Sequence, residues 1–324
     1  VTPFCPPPVV HSSEALCPWL DTAHDGLYVG VDDVFASFDR FTQSFNPLGK
    51  LLVNGHVVLV TGHDGCGKSA LVNKCVHWLN SRLREQAAQP HGQDTPSGSP
   101  VIVDLMDIHP EGDHKKRART LFSVCVERLR EQVAQFFTLP EWEKLEALPV
   151  EKDLVEGYQF LSGLLKKYSL VLLVLMPRAR SEEEIHELAR LALRNIVFFA
   201  EIATFGITPI NRIKRELTSS LVPVKIGPLR AEDGLLWFKD HMRRVPPDRR
   251  RDLPQIPDDA LVKFFNEVGE VRPLFTLRFL QEYFCRLYST YIPRHPVVPI
   301  SYENLSDFLN DIWNDIFGES EEGE

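Results

Sequence analysis

One run of residues, Gly62-His63-Asp64-Gly65-Cys66-Gly67-Lys68-Ser69, has the types and spacing for phosphate chemistry. It fits the pattern G-x-x-x-x-G-K-[ST] in full. A loop that wraps a phosphate must turn its backbone N–H groups inward. Gly62, Gly65 and Gly67 supply the unusual φ values and the close approach this needs. His63, Asp64, Cys66 and Ala70 complete the cradle. The helix that follows adds free N–H groups and the positive end of its dipole. Lys68 is placed to reach the β- and γ-phosphates, and Ser69 to put its hydroxyl on Mg²⁺. The flanks agree with this reading. HVVLVT (56–61) is a β-branched run, and SALVNKCVHWLNSRLREQ sets Leu71, Val72, Cys75, Val76 and Leu79 on one helical face.

The rest of the pattern supplies a frame for that loop. Further strands are predicted over 101–108, 170–176, 196–204 and 223–229, with helical periodicity at 32–46 before the first strand and at 115–137, 141–168 and 181–193 between later ones. Five strands alternating with helices predict an α/β fold with a parallel sheet covered on both faces. From residue 230 only helices are predicted: AEDGLLWFKDHM, DDALVKFFNEVGE, PLFTLRFLQEYFCRLYS and YENLSDFLNDIWNDIF. The expected organisation is a Pro-rich leader (1–20), a nucleotide-binding α/β domain (21–229), a helical lid (230–318) and an acidic tail (319–324).

With these features together, the chain resembles the P-loop ATPases of the AAA+ and STAND type over roughly residues 26–290. LYVGVDD (27–33) looks like the segment that lines the adenine pocket in those families, with Tyr28 and Val29 in it, although Val31 stands where Arg is usual. Gly227-Pro228-Leu229 looks like the link from the last strand to the lid. Gly269-Glu270-Val271-Arg272-Pro273-Leu274 is similar to two lid motifs. One would give Arg272 a γ-phosphate contact and the other would set Pro273 against adenine; a plain turn between helices is the third reading. The resemblance implies ATP or ADP with Mg²⁺ as ligands. It also implies a nucleotide-dependent switch that controls assembly or partner binding, and a bacterial signalling or conflict-system role. A nucleotide-binding scaffold without turnover and a small-molecule kinase are the alternatives.

One part of the pattern is missing. ATPases of this class hold Mg²⁺ with a carboxylate at the end of the third strand. Here that strand ends Leu173-Val174-Leu175-Met176-Pro177-Arg178, and Glu182, Glu183 and Glu184 beyond it also read as a charged first helical turn. Two replacements are open. Asp104 or Asp107 could reach the metal if their strand lay beside the phosphate-loop strand, or Glu201 could point into the site from the fourth strand. Arg212 and Arg215 resemble finger or sensor arginines and read equally as a solvated helix face. Slow or partner-dependent hydrolysis follows.

Composition sets the remaining bounds. The 324 residues are 44% apolar and 25% charged, and this length buries a core without disulfides or metals. A net charge of −9 argues against a nucleic-acid coat protein, leaving nucleic acid a less favoured partner than a protein or a second copy of the chain. No apolar stretch is long enough to span a membrane. Six cysteines without CxxC pairing read as buried thiols, and no secretory leader is visible, which together predict a cytoplasmic protein.

Overall fold

The computed structural model describes residues 3–4, 15–32, 34–88, 98–147, 154–203, 221–227, 229–271, 275–292 and 298–317. Strands β1 (His56–Gly62), β2 (Ser99–Asp104), β3 (Leu170–Leu175), β4 (Ile196–Ala203) and β5 (Leu221–Lys225) form one parallel sheet in the order β2-β3-β4-β1-β5. The fold is therefore α/β, as the alternation predicts. The phosphate-loop strand β1 is internal, with the middle strand β4 on one side and the edge strand β5 on the other.

Alternation along each strand divides the core in two. Val57, Leu59, Leu172, Val174, Phe198 and Ala200 face helices α3 (His114–Val133), α5 (Leu154–Lys167) and α6 (Glu182–Leu191). Their neighbours Val58, Val60, Leu173, Leu175, Val197 and Phe199 face α1 (Val34–Ser44) and α2 (Lys68–Ala88). Strands buried on both faces have no polar side, which explains the uninterrupted Leu170–Leu175 run. Helix α4 (Leu139–Ala147) closes the first core through Trp142 and Leu145.

The C-terminal helices α7 (Ala231–Arg244), α8 (Pro247–Arg250), α9 (Asp258–Val271), α10 (Leu277–Tyr291) and α11 (Tyr302–Phe317) build a second, aromatic-rich core. The Pro-rich leader contributes to it: Phe4 is buried against Phe238, Phe284 and Tyr288, with ring centroids 5.1, 5.3 and 4.9 Å away. Val29 and Val31 belong to this core as well. Helix α10 starts at Leu277, four residues later than the periodicity places it, because Thr276 caps it by accepting from the Phe279 N–H at 3.2 Å.

Cysteine usage differs in part from the sequence reading. Cys17, Cys66, Cys75 and Cys125 are buried thiols, but Cys285 on α10 is disulfide-bonded. Among the described residues no helix is long and apolar enough to cross a membrane.

Candidate functional site

The loop between β1 and α2 owes its shape to two glycines. Gly65 has φ +78° and Gly67 φ +90°, the left-handed region that other residues enter at a cost. The chain can then curl over the first turn of α2, where Lys68 and Ser69 begin the helix. Lys68 is only 6% exposed, so its ammonium needs partners within the loop. It donates to the His63 carbonyl and to Asp64 Oδ1, each at 3.0 Å. Asp64 Oδ2 accepts in turn from Arg178 Nη2 at 2.9 Å. Burial pushes the Asp64 carboxyl up, but the Lys68 and Arg178 cations outweigh it and hold its pKa below the ordinary carboxylate range. Burial pushes the Cys66 thiol up to about 11, which keeps it protonated and unreactive at neutral pH.

Glu201 reaches this loop from β4. It shares a sheet face with Phe199, two residues before it, and that face is the one α2 covers. Parallel pairing sets Glu201 beside Val60 of β1, close to the phosphate loop. Its Oε2 accepts from Ser69 Oγ at 2.9 Å, and the residue is buried. A hydroxyl beside a buried carboxylate is the donor pair a hard divalent cation uses next to phosphate oxygens. Among the described residues no group of three or more His, Cys, Asp and Glu forms a metal site. Mg²⁺ would thus rest on Ser69, Glu201 and the phosphates, and these residues fit that role.

The expectation for Asp104 does not hold. Its strand β2 lies at the sheet edge, with β3 and β4 between it and β1. Asp104 Oδ1 instead accepts from the Met106 N–H at 3.0 Å. Asp107 forms a two-pronged pair with Arg128 at 2.9 and 3.0 Å. Glu184 is also committed elsewhere, 2.6 Å from the buried Arg117. At the end of β3, Met176 is buried and bonded to the Phe199 carbonyl, and Arg178 follows it. Arg212 and Arg215, Pro228, and Arg272 and Pro273 lie outside the described residues.

The segment Leu27–Asp32 joins the two cores. The Tyr28 hydroxyl donates to the Ala70 carbonyl at 2.7 Å, and the Lys74 ammonium sits 4.2 Å over its ring. Burial raises the Tyr28 pKa, so the hydroxyl stays a donor. Val29 packs on the helical side. The Asp32 N–H donates to Asp233 Oδ1 at 3.0 Å, and its carboxylate accepts from the Gly227 N–H.

The structure also brings to the loop residues that lie outside the glycine motif. The N-terminus of α10 sits on the phosphate loop, where the Arg278 N–H donates to the Gly65 carbonyl at 3.1 Å. A Cβ on Gly65 would meet Thr276 Oγ1 at 2.8 Å, and one on Gly67 would meet Leu277 at 3.1 Å. A Thr that caps a helix, followed two residues later by Arg, is the local signal that could have marked Arg278.

No family profile and no curated protein matches the sequence. Solved structures do match. The ADP form of the Aeropyrum pernix ORC2 protein aligns over 88% of this chain and 69% of its own, at 11% identity and a TM-score of 0.53. The ADPNP–ADP complexes of ORC2 align over 85% and 67%, at 10% identity and 0.52. The A. pernix ORC1 protein in complex with DNA aligns over 87% and 66%, at 13% identity and 0.51. The chain spans about two thirds of the length of these proteins. At such identities the likeness is one of fold alone: a five-stranded parallel sheet between helices, shared with these proteins.

Proposed function

We propose that the chain binds ATP and ADP with Mg²⁺ at the Gly62–Ser69 loop and acts as a nucleotide-dependent switch. Residues 21–229 form the binding domain and residues 230–318 the lid. The lid's position on the loop governs assembly or the binding of a protein partner. The observation that carries this reading is the direct bond from Arg278 N–H to the Gly65 carbonyl. A phosphate entering the loop meets the lid at the same backbone, so occupancy biases the lid without a relay. Arg278, whose backbone bonds the loop, joins Arg272 as a lid arginine that could read that occupancy. The A. pernix ORC2 complexes with ADPNP and ADP support the choice of ligand by analogy of fold. The narrower placement among STAND ATPases or bacterial signalling proteins rests on the sequence resemblance alone, in LYVGVDD, Gly227–Leu229 and Gly269–Leu274.

Hydrolysis is slow or partner-dependent in this reading. Glu201 and Ser69 supply a metal site, but β3 ends without a carboxylate to position water. The test is calorimetric ATP binding to the wild-type chain and to Lys68→Ala. Losing a charge-assisted contact should weaken binding roughly tenfold to a hundredfold. Equal affinity in a folded Lys68→Ala chain overturns the assignment.

A further inference from the structure

The mixed ion cluster over the phosphate loop carries more than a structural role. Lys68, buried, and Arg178, half-exposed, both point at one carboxylate, that of Asp64. Each takes a different oxygen, Lys68 the Oδ1 at 3.0 Å and Arg178 the Oδ2 at 2.9 Å. Two cations bridged by two oxygens of one anion is how a phosphate would be held at this place. Asp64 belongs to the loop itself, four residues before Lys68, so its carboxylate is tethered inside the cradle.

Arg178 reaches the loop because of how the chain leaves β3. After Met176 the backbone continues alongside β4, with the Ala179 N–H donating to the Glu201 carbonyl at 2.9 Å. Residue 178 is thereby held at the same end of the sheet as the loop. The sequence puts a permanent cation where the resemblance implies a metal-holding acid, and arginine cannot give up its charge.

We propose that Asp64 is an internal stand-in for phosphate, and that nucleotide displaces it and takes both Lys68 and Arg178 as ligands. This rests on the reading of the loop as a nucleotide-phosphate site. Asp64 then competes with the ligand and sets its affinity, while Arg178 supplies a second positive charge on the phosphates. In the empty state the carboxylate keeps both cations paired and aimed at the site. Binding exchanges one anion for another instead of uncovering two bare charges.

The experiment is isothermal titration of ATP into four chains at one salt concentration: wild type, Asp64→Asn, Arg178→Gln, and the double variant. Side chains of Asp64 and Arg178 are 56% and 47% exposed, so both substitutions leave the core untouched. Asp64→Asn keeps the shape and removes the competing charge, and should tighten ATP about tenfold. Arg178→Gln should weaken ATP about tenfold, and must do so again in the Asp64→Asn background. That last comparison separates a ligand from a neutraliser. If Arg178 serves only to balance Asp64, its removal is silent once Asp64 is gone. Unchanged or weaker binding by Asp64→Asn, or a silent Arg178→Gln in that background, overturns the proposal while leaving the phosphate site intact. Absence of ATP binding by the wild-type chain overturns the phosphate site itself.

Discussion

Replacing Gly65 by alanine tests the contact between loop and lid most directly. The new Cβ would lie 2.8 Å from Thr276 Oγ1, 3.1 Å from Arg278 Cβ and 3.2 Å from Thr276 Cβ. None of these is the far end of a flexible chain, and Thr276 is buried and fixed as the cap of α10. Backbone strain adds to the overlap, since Gly65 sits at φ +78°. A left-handed conformation costs a non-glycine residue about 1–2 kcal/mol, and overpacking about 1–3 kcal/mol more. The sum, about 2–5 kcal/mol, is within reach of a typical domain's whole stability of about 5–15 kcal/mol. The protein can avoid the overlap part of the cost by lifting the start of α10 off the loop. Urea unfolding and hydrogen exchange should therefore both respond, with the amides of residues 277–280 exchanging faster. Gly49→Ala is the control, because a Cβ there meets nothing within 4 Å. It should change stability by no more than about 0.5 kcal/mol. If Gly65→Ala matches Gly49→Ala in stability and leaves exchange at 277–280 unchanged, the contact between lid and loop is not what the geometry says.

Other perturbations have equally specific outcomes. Glu201→Gln should keep ATP binding but lower any residual phosphate release by about 10²–10⁴, and wild-type turnover itself should stay below ~1 s⁻¹. Glu184→Ala should cost up to about 3–5 kcal/mol in urea unfolding by leaving the buried Arg117 with only its bond to the Pro110 carbonyl, with no change in ATP affinity. Burial and the Lys50 cation hold the His56 pKa below the ordinary histidine range. His56 is then neutral when folded, while the unfolded chain binds its proton near pH 6.5. Its contribution to stability is complete above that pH and is lost as pH falls below it. Unfolding in urea at pH 7.5 and pH 5.5 should show this loss, reduced in His56→Phe; an identical loss in the variant refutes the assignment.

The parts of the site that could be read from the sequence are those whose chemistry is consecutive. The run from Gly62 to Ser69 fixes a loop, a helix start and two ligand groups within a few residues, and β1 and α2 announce themselves by periods of 2 and 3.6. Strand order is different, because it depends on which crossovers the packed helices allow. Asp104 and Glu201 look alike along the chain, each a lone acid in an apolar strand. The sheet separates them, setting Glu201 next to the phosphate-loop strand and Asp104 at the far edge. Even the facing of Glu201 could be settled only once α2 was known to cover the side that Phe199 shares.

The same reasoning applies to the lid and to Arg178. Arg272 drew attention because it sits in a motif, yet Arg278 is the lid arginine whose backbone bonds the loop. Arg178 stands 114 residues from Asp64 in the chain, and no local pattern joins them. What joins them is the parallel sheet, which brings the C-terminal ends of β1, β3 and β4 to the same end of the sheet. A search for an acid at the end of β3 therefore asks the right place for the wrong charge. The acid comes from β4, through Glu201 on Ser69, and the end of β3 brings a cation to the carboxylate of the loop. The site thus places its charges in an order other than the one the sequence resemblance implies. On the proposed reading, affinity for phosphate follows the competition for Lys68 and Arg178 that Asp64 sets up, and Glu201 on Ser69 is the acid on which any metal-assisted turnover would draw.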